Sequence, residues 1–246
     1  MTRTVSITNN KGGTSKTTTA LNLGAALKRA GHRVLAIDLD AQCNLTLGAG
    51  HMPGNAHAGT FLLGETSFEE TLVETESFDL IPSHKTLLSY EYRINTEPDS
   101  AFFLKDYLFN KQYDFIVIDC PPSLGALTVN ALVASDFYLI PMQGENFAYV
   151  GLNEILQLTA KIKKRLNPDL ELAGILLSKF DHRTKFAQMV YAKLQQNTNL
   201  KLLKSHIRQD VTLMECAAFG KNIFAYAPES RGAKDFDALC QEILAL

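Results

Sequence analysis

Short apolar runs alternate with helix-like segments along most of the chain, and this alternation restricts the fold more than any other feature. The runs predicted as buried strands are TVSIT (4–8), RVLAID (33–38), FDLIPS (78–83), DFIVID (114–119), FYLIPM (137–142), ELAGILLS (171–178) and LKLLKSHI (200–207). Residues 16–30 and 152–166 between them have the 3.6-residue apolar period of helices. Continuous apolar strands separated by helices are typical of an α/β fold, a mostly parallel sheet with helices on both faces. We therefore expect one such domain over residues 1–246.

Composition excludes several classes of protein. The 246 residues are 46% hydrophobic and 20% charged, which is ordinary for a globular α/β domain. No apolar run has the roughly 18 residues that a membrane span needs, and the amino-terminal residues lack a signal-peptide pattern. The four cysteines form no C-x-x-C pair, which argues against a metal cluster or a disulfide framework. We expect reduced thiols in a cytoplasmic protein.

The segment NKGGTSKTT, between the first predicted strand and the first predicted helix, has the chemistry of a phosphate-binding loop. Gly12 and Gly13 let backbone N–H groups turn inward, and the following helix adds its positive amino-terminal end. Lys16 can reach the β- and γ-phosphates of a nucleotide, and the Thr17 hydroxyl can bind Mg²⁺. The expected fold is therefore of the P-loop NTPase type. The alternative is a turn with two glycines and two solvated lysines. The predicted nucleotide contacts are Lys11, Gly12, Gly13, Thr14, Ser15, Lys16, Thr17 and Thr18.

This loop departs from the usual G-x-x-x-x-G-K-[ST] pattern, because Asn10 and Ser15 replace its two glycines. We expect Ser15 to need only a helical backbone, which serine tolerates. An additional lysine, Lys11, precedes Lys16 by five residues.

Carboxylates follow two of the predicted strands, where ligands of parallel sheets bind. Asp119 ends DFIVID, the position of an aspartate that holds Mg²⁺ in such enzymes, although it could instead cap the next turn. Asp38 and Asp40 end the second strand, so that one can support Mg²⁺ while the other orients the attacking water. We assign Asp38, with Thr17 and Asp119, to the metal and Asp40 to the water. The PPSLG segment after Asp119 would lie near the γ-phosphate.

These motifs together resemble the ParA/Soj/MinD family of deviant Walker-A ATPases, and most closely its ParA/Soj partition branch. The matching segments are KGGTSKT (11–17), LDAQCN (39–44), VIDCPPSLG (117–125) and YAPESRGA (226–233), so the resemblance extends over essentially the whole chain. It implies that Lys11 crosses a dimer interface to contact the partner subunit's phosphates. It also implies ATP and Mg²⁺ as cofactors, an ATP-dependent homodimer and slow hydrolysis. Lys11, Lys16 and Asp40 are then the expected catalytic residues.

Charge is unevenly distributed along the chain, although the formal net charge is only -2. Residues 161–208 contain eleven Lys/Arg and three Asp/Glu, a net +8, whereas residues 60–160 have a net -11. A basic surface of this kind fits non-specific contact with DNA phosphates. The resemblance supports Arg183, but Gln209 and Thr212 replace two arginines of the family's DNA-binding stretch. The candidate DNA contacts are Lys161, Lys163, Lys164, Arg183 and Lys185.

We expect a ParA-like ATPase that binds DNA as a dimer and moves a plasmid or chromosome region with a ParB-like activator. It would be cytoplasmic and nucleoid-associated. The main alternative is an ATP switch that positions a protein cargo, with weak DNA binding or none. A membrane-bound regulator of the MinD type would end in a basic amphipathic helix, whereas KDFDALCQEILAL is acidic and is expected to pack on the domain. An iron–sulfur carrier would need paired cysteines, and Cys120 has no companion.

Overall fold

The computed structural model describes residues 2–109, 111–143, 148–181, 183–197 and 200–246. Among them, eight strands form a single sheet: β1 (Arg3–Ile7), β2 (Val34–Asp38), β3 (Val73–Glu74), β4 (Asp79–Ile81), β5 (Phe115–Asp119), β6 (Phe137–Gln143), β7 (Glu171–Phe180) and β8 (Leu202–Arg208). The helices are α1 (Lys16–Arg29), α2 (Asn44–Gly48), α3 (Ala58–Leu62), α4 (Phe68–Thr71), α5 (Leu87–Ile94), α6 (Phe103–Leu108), α7 (Ala126–Val133), α8 (Ala148–Arg165), α9 (Lys185–Gln196), α10 (Thr212–Ala218), α11 (Ile223–Tyr226) and α12 (Arg231–Leu244), with a 3₁₀ turn at Ser100–Phe102.

The strand order is β3-β4-β2-β5-β1-β6-β7-β8, and every neighbouring pair is parallel except β3 with β4. All seven strands predicted from apolar runs are present, so the prediction of a mostly parallel sheet is confirmed. The short antiparallel strand β3 was not predicted, because two residues carry no periodic signal. The connection after β1 leads to β2 on one side of β1, whereas the connection after β5 leads to β6 on the other side, and ligands of doubly wound folds bind at such a point.

Alternation along the central strands divides the core into two layers. In β5, Phe115 and Val117 belong to the cluster under α1 and α12, whereas Ile116 and Ile118 face the opposite cluster. Successive side chains of a strand point to opposite faces, so a run that is apolar at every position requires helices on both. The sequence pattern and the layered structure therefore agree.

The carboxyl-terminal helix α12 packs on α1 and β8 and buries Phe236, Leu239 and Ile243. Its Glu242 also accepts hydrogen bonds from the backbone N–H groups of Lys204 and Ser205, both at 2.9 Å. These contacts satisfy donors of the edge strand β8, which would otherwise be open to pairing. The expectation that the acidic end of the chain packs on the domain is confirmed.

None of the helices in the described ranges is both long enough and apolar enough to cross a membrane. The four cysteines are buried and free, as expected from their spacing.

Candidate functional site

The loop between β1 and α1 forms an open cradle at the carboxyl end of the central strand. Gly13 has a φ of 76°, a left-handed conformation that glycine adopts without the strain of a Cβ. No acidic residue lies in the first turn of α1, and Ser15 makes no side-chain cap there, so the N–H groups of this turn remain available. Such a helix start, preceded by a turn of inward N–H groups, favours an anion.

The prediction that Ser15 needs only a helical backbone that serine tolerates is wrong. Ser15 has a φ of 72° and a ψ of 24°, which places it in the left-handed region. For a residue with a Cβ, that conformation costs about 1 kcal/mol or more. The usual glycine at this position is therefore a backbone requirement, and this loop satisfies the requirement with a strained serine.

Lys16 is buried at the base of the cradle. Its Nζ donates to the backbone carbonyl oxygen of Lys11 at 3.3 Å. Burial lowers the pKa of Lys16, whereas the carboxylates of Asp119 and Asp40 and the Cys120 thiol oppose this change. A bound phosphate would add to the negative charge that faces the ammonium and would further favour its charged form. Lys11 itself is exposed, as a contact with a second molecule requires.

Asp38 and Asp119 are neighbours in the sheet, since their Cα atoms are register partners at the ends of β2 and β5. Both are fully buried. Asp38 accepts hydrogen bonds from the Thr46 hydroxyl at 2.7 Å and from the backbone N–H groups of Thr46 and Asp40. Burial raises its pKa to about 6. Ionisation of both carboxyl groups would therefore place two negative charges side by side where little solvent can screen them.

The Asp119 carboxylate has both oxygens buried and receives no complete hydrogen bond from any described residue. Burial, followed by the charge of Asp38, raises its pKa well above the usual range, and the nearby Thr17 hydroxyl and Lys16 oppose the shift. Buried carboxylates without partners are rare because their desolvation is costly. A hard cation would resolve this arrangement, since carboxylate and hydroxyl oxygens are the ligands of Mg²⁺. The residues present thus fit a magnesium site.

Asp40 lies just beyond the end of β2 and is half-buried. It lines the cleft beside the phosphate loop, as does Pro122 from the segment after Asp119. One carboxylate oxygen accepts from the Gln42 backbone N–H at 2.9 Å, and within the described residues no donor reaches the other. The Ser83 hydroxyl donates to the Asp40 carbonyl at 2.7 Å and fixes this turn. The free carboxylate oxygen is available to a water molecule in the cleft.

The cleft itself encloses about 920 Å³ and is lined by loop residues 12–18 together with Asp40. A second, smaller pocket adjoins it, and both are lined by Ser15, Thr18, Lys179 and Met214. Apolar side chains of Ile207, Leu213 and Phe236 form much of the smaller pocket. Sequence reasoning did not assign Lys179, Gln209, Asp210 or Met214 to this site. The signal was available, because Lys179 lies at the carboxyl end of β7 and the other three follow that of β8, where ligands bind.

The candidate DNA contacts lie in two groups, one before the start of β7 and one after its end. Lys161, Lys163 and Lys164 lie in the last turns of α8, before β7 begins, whereas Arg183 and Lys185 follow the end of β7. β7 has 10 residues, so its length separates the two groups by about 30 Å. All five are exposed, but the Arg183 guanidinium is paired with Asp181 at 2.7 Å.

Comparison with known proteins gives a consistent result. A family model described as an AAA domain matches residues 2–172. The chain is 38% identical to the chromosome partitioning protein ParA of Myxococcus xanthus, over 98% of this chain and 88% of that protein. It is also 38% identical to the sporulation initiation inhibitor protein Soj of Bacillus subtilis, over 100% and 99% of the two chains.

Solved structures resemble the fold over almost its whole length. A crystal structure described as a cobyrinic acid a,c-diamide synthase of Mycobacterium smegmatis, with bound ADP and magnesium, superposes with a TM-score of 0.88 at 32% identity. The match covers 99% of this chain and 94% of that one. The septum site-determining protein MinD of Pyrococcus horikoshii, complexed with Mg-ADP, has a TM-score of 0.79 at 28% identity, with 100% and 98% coverage.

Proposed function

This chain belongs to the ParA/Soj/MinD family and is an ATPase, and we propose that it dimerises on ATP and partitions a plasmid or chromosome region. The observation that carries the nucleotide assignment is the open cradle beside the buried, unpartnered carboxylate of Asp119. Two proteins above 30% identity support the nucleotide assignment. One is named as a chromosome partitioning protein, and the other was crystallised with ADP and magnesium. We place its action in the cytoplasm and on the nucleoid.

We propose that residues 12–18 hold the phosphates through their backbone N–H groups and the Lys16 side chain. The nucleotide base would lie in the adjoining apolar pocket. Thr17 and Asp119 would hold Mg²⁺, with Asp38 beside them, and the metal would neutralise charge on the phosphate oxygens. Asp40 would orient the attacking water through its uncommitted oxygen. Catalysis of this kind depends on positioning and charge stabilisation and needs no covalent intermediate.

Dimerisation would follow from the exposure of Lys11 at the mouth of the cradle. We propose that two copies meet with their carboxyl sheet edges facing, so that Lys11 of each reaches the nucleotide of the other. The site would then be complete only in the ATP-bound dimer, which accounts for a loop without the usual glycines. A ParB-like activator would stimulate hydrolysis and separate the subunits.

The separation of the two groups of basic residues indicates which group would contact DNA in a dimer. In a dimer with facing carboxyl edges, Arg183 and Lys185 of both copies lie near the junction, whereas Lys161, Lys163 and Lys164 lie at the far edges. Contacts near the junction from two copies can bind one duplex together, which raises affinity by bivalency. We therefore propose Arg183 and Lys185 as the principal phosphate contacts and the α8 lysines as secondary ones.

A matched pair of charge reversals tests this proposal. We expect Arg183→Glu with Lys185→Glu to weaken retention of the ATP dimer on any duplex, while Lys163→Glu with Lys164→Glu weakens it less. Each pair changes the charge by the same amount, so the difference reports position rather than net charge. Binding should fall steeply with salt, because counterion release provides most of the free energy. ATP hydrolysis without DNA should be nearly unchanged in both variants.

Size measurement with ATP, ADP or no nucleotide, each with and without duplex DNA, tests the proposed function as a whole. The expected result is a dimer only with ATP, and DNA retention only by that dimer. An ATP dimer without DNA retention at about 50 mM salt, where such contacts are strongest, would favour the alternative, an ATP switch that positions a protein cargo. This alternative is favoured by the replacement of two arginines in the family's DNA-binding stretch by Gln209 and Thr212.

The magnesium assignment has its own expected outcome. Asp119→Asn should raise the thermal midpoint of the nucleotide-free protein, because it removes one of two adjacent buried carboxylates. The same change should abolish the additional stabilisation that Mg²⁺ gives in the presence of ADP, because a ligand stabilises the folded state only when it binds to that state. Thermal unfolding with ADP, with and without Mg²⁺, measures both effects. Asp169→Asn, at an exposed position, is the control, and an undiminished Mg²⁺ effect in Asp119→Asn contradicts the assignment.

A further inference from the structure

Lys179, one of the basic residues of the +8 block, lies in the nucleotide site rather than on the basic surface. It follows Ser178 near the carboxyl end of β7 and lines both the phosphate cleft and the adjoining pocket. The Ser178 hydroxyl donates to the carbonyl oxygen of Thr14 at 3.1 Å, a buried hydrogen bond that ties this strand end to the phosphate loop. The position of Lys179 relative to the cradle is therefore fixed by the fold.

The backbone of Lys179 is strained. Its φ of 50° lies in the left-handed region, which a lysine rarely adopts. Residues held in such conformations persist where the surrounding structure over-determines them, and they concentrate at ligand sites. Here the conformation coincides with an irregularity in the register between β7 and β8, between Ser178 and Phe180, where the Lys179 side chain lines both cavities.

Among the polar groups around the smaller pocket, most are already committed. The Arg208 guanidinium is paired with Asp235 at 2.6 Å. Asp210 accepts from the hydroxyl and backbone N–H of Thr212 and from the backbone N–H of Gly232. The Lys179 ammonium, in contrast, makes no hydrogen bond or ion pair with any described residue. It is exposed, and no described carboxylate forms an ion pair with it.

The residues that share both cavities with Lys179 indicate which part of a nucleotide it would meet. Ser15 and Thr18 belong to the loop and the first turn of α1, where phosphate is expected. An ammonium donates three hydrogen bonds and accepts none, so its natural partner at this junction is an anionic oxygen. The faces of the smaller pocket are mainly apolar and suit the base.

We propose that Lys179 is a nucleotide-binding residue whose ammonium contacts the phosphate chain where it leaves the cradle toward the base pocket. This inference rests on the proposed nucleotide function and adds a third cation to Lys11 and Lys16. It also removes Lys179 from the set of basic residues available to DNA.

Lys179→Met separates charge from packing, because methionine keeps most of the apolar stem and removes the ammonium. We expect the ADP dissociation constant of this variant to be about tenfold higher than that of the wild-type protein. This is the loss typical of a charged hydrogen bond. Adenosine, which has no phosphate, should compete equally well against a fluorescent ADP analogue in both proteins. Lys201→Met removes an exposed lysine outside both cavities and should leave ADP binding unchanged.

Lys179→Gly provides an independent check, since glycine adopts the left-handed backbone without strain. The variant should unfold at a temperature about 2 °C higher while it binds ADP more weakly. If Lys179 only supported the fold, Lys179→Gly would instead lower the midpoint of thermal unfolding.

Unchanged ADP affinity in Lys179→Met would overturn the proposal, and equal losses for ADP and adenosine would replace it with a base-packing role. A loss of DNA retention with ADP affinity intact would return Lys179 to the basic surface. If the wild-type protein binds no nucleotide, the proposed function fails together with this inference; the outcomes above leave that function standing.

Discussion

Replacing Asp40 with alanine is expected to reduce phosphate release by roughly 10²-fold or more, the loss typical of a positioned general base. ATP binding should persist, because the cradle and Lys16 do not depend on the Asp40 side chain. The variant should therefore dimerise with ATP and remain in that state. Phosphate release under saturating ATP, measured beside sedimentation of the same sample, checks both halves of the prediction.

Asp40→Asn distinguishes chemistry from loop geometry. The asparagine oxygen can still accept from the Gln42 backbone N–H, as the carboxylate does at 2.9 Å, so the turn after β2 should be preserved. Only the charge is lost, and hydrolysis should fall as far as in Asp40→Ala. Asp169→Ala, at an exposed position, is the control. Wild-type phosphate release in Asp40→Asn would remove Asp40 from the mechanism.

Replacing Lys11 with alanine should abolish the ATP-dependent dimer while ATP binding by the monomer remains. The backbone carbonyl of Lys11 supports the loop, because it accepts from Lys16 Nζ and from the Thr14 hydroxyl. Alanine keeps that carbonyl, so the cradle should form normally. Analytical ultracentrifugation with ATP measures dimerisation, and a fluorescent nucleotide measures binding.

Lys16→Ala should behave differently, because its side chain lies inside the cradle and is buried there. We expect this variant to lose nucleotide affinity itself, and the dimer only in consequence. Lys85→Ala, at an exposed position after β4, controls for the removal of a positive charge. An ATP dimer of normal stability in Lys11→Ala would contradict the proposed contact across the interface, and Lys11 would then be an ordinary solvated lysine.

Much of the fold follows from local signals. The central strands β2, β5 and β6 are almost entirely apolar, and helices between parallel strands are the only short route back across the sheet. The cradle is equally local, since Gly12, Gly13, Lys16 and Thr17 are contiguous and their chemistry does not depend on distant residues. Asp38, Asp40 and Asp119 were found because strand ends of a parallel sheet share one edge.

Distances through space were decided by the tertiary structure. The sequence did not indicate that Asp38 and Asp119 are register partners, or that Asp119 has no hydrogen-bond partner among the described residues, because strand order and burial join residues far apart in the chain. The left-handed backbone of Ser15 was also missed, although the glycine that usually occupies this position is a signal for it.

The basic block shows the same limit most plainly. Lys161 and Arg183 are close in sequence, yet α8 and β7 run in opposite directions, and the length of β7 separates the lysines that precede it from the arginine that follows it. Lys179, between them, lies in the nucleotide cleft because its strand ends beside the phosphate loop. The sequence by itself determined the sheet, the cradle and the types of residue at the site. The direction and register of the strands decided which of those residues meet, since a charge acts through space and not along the chain.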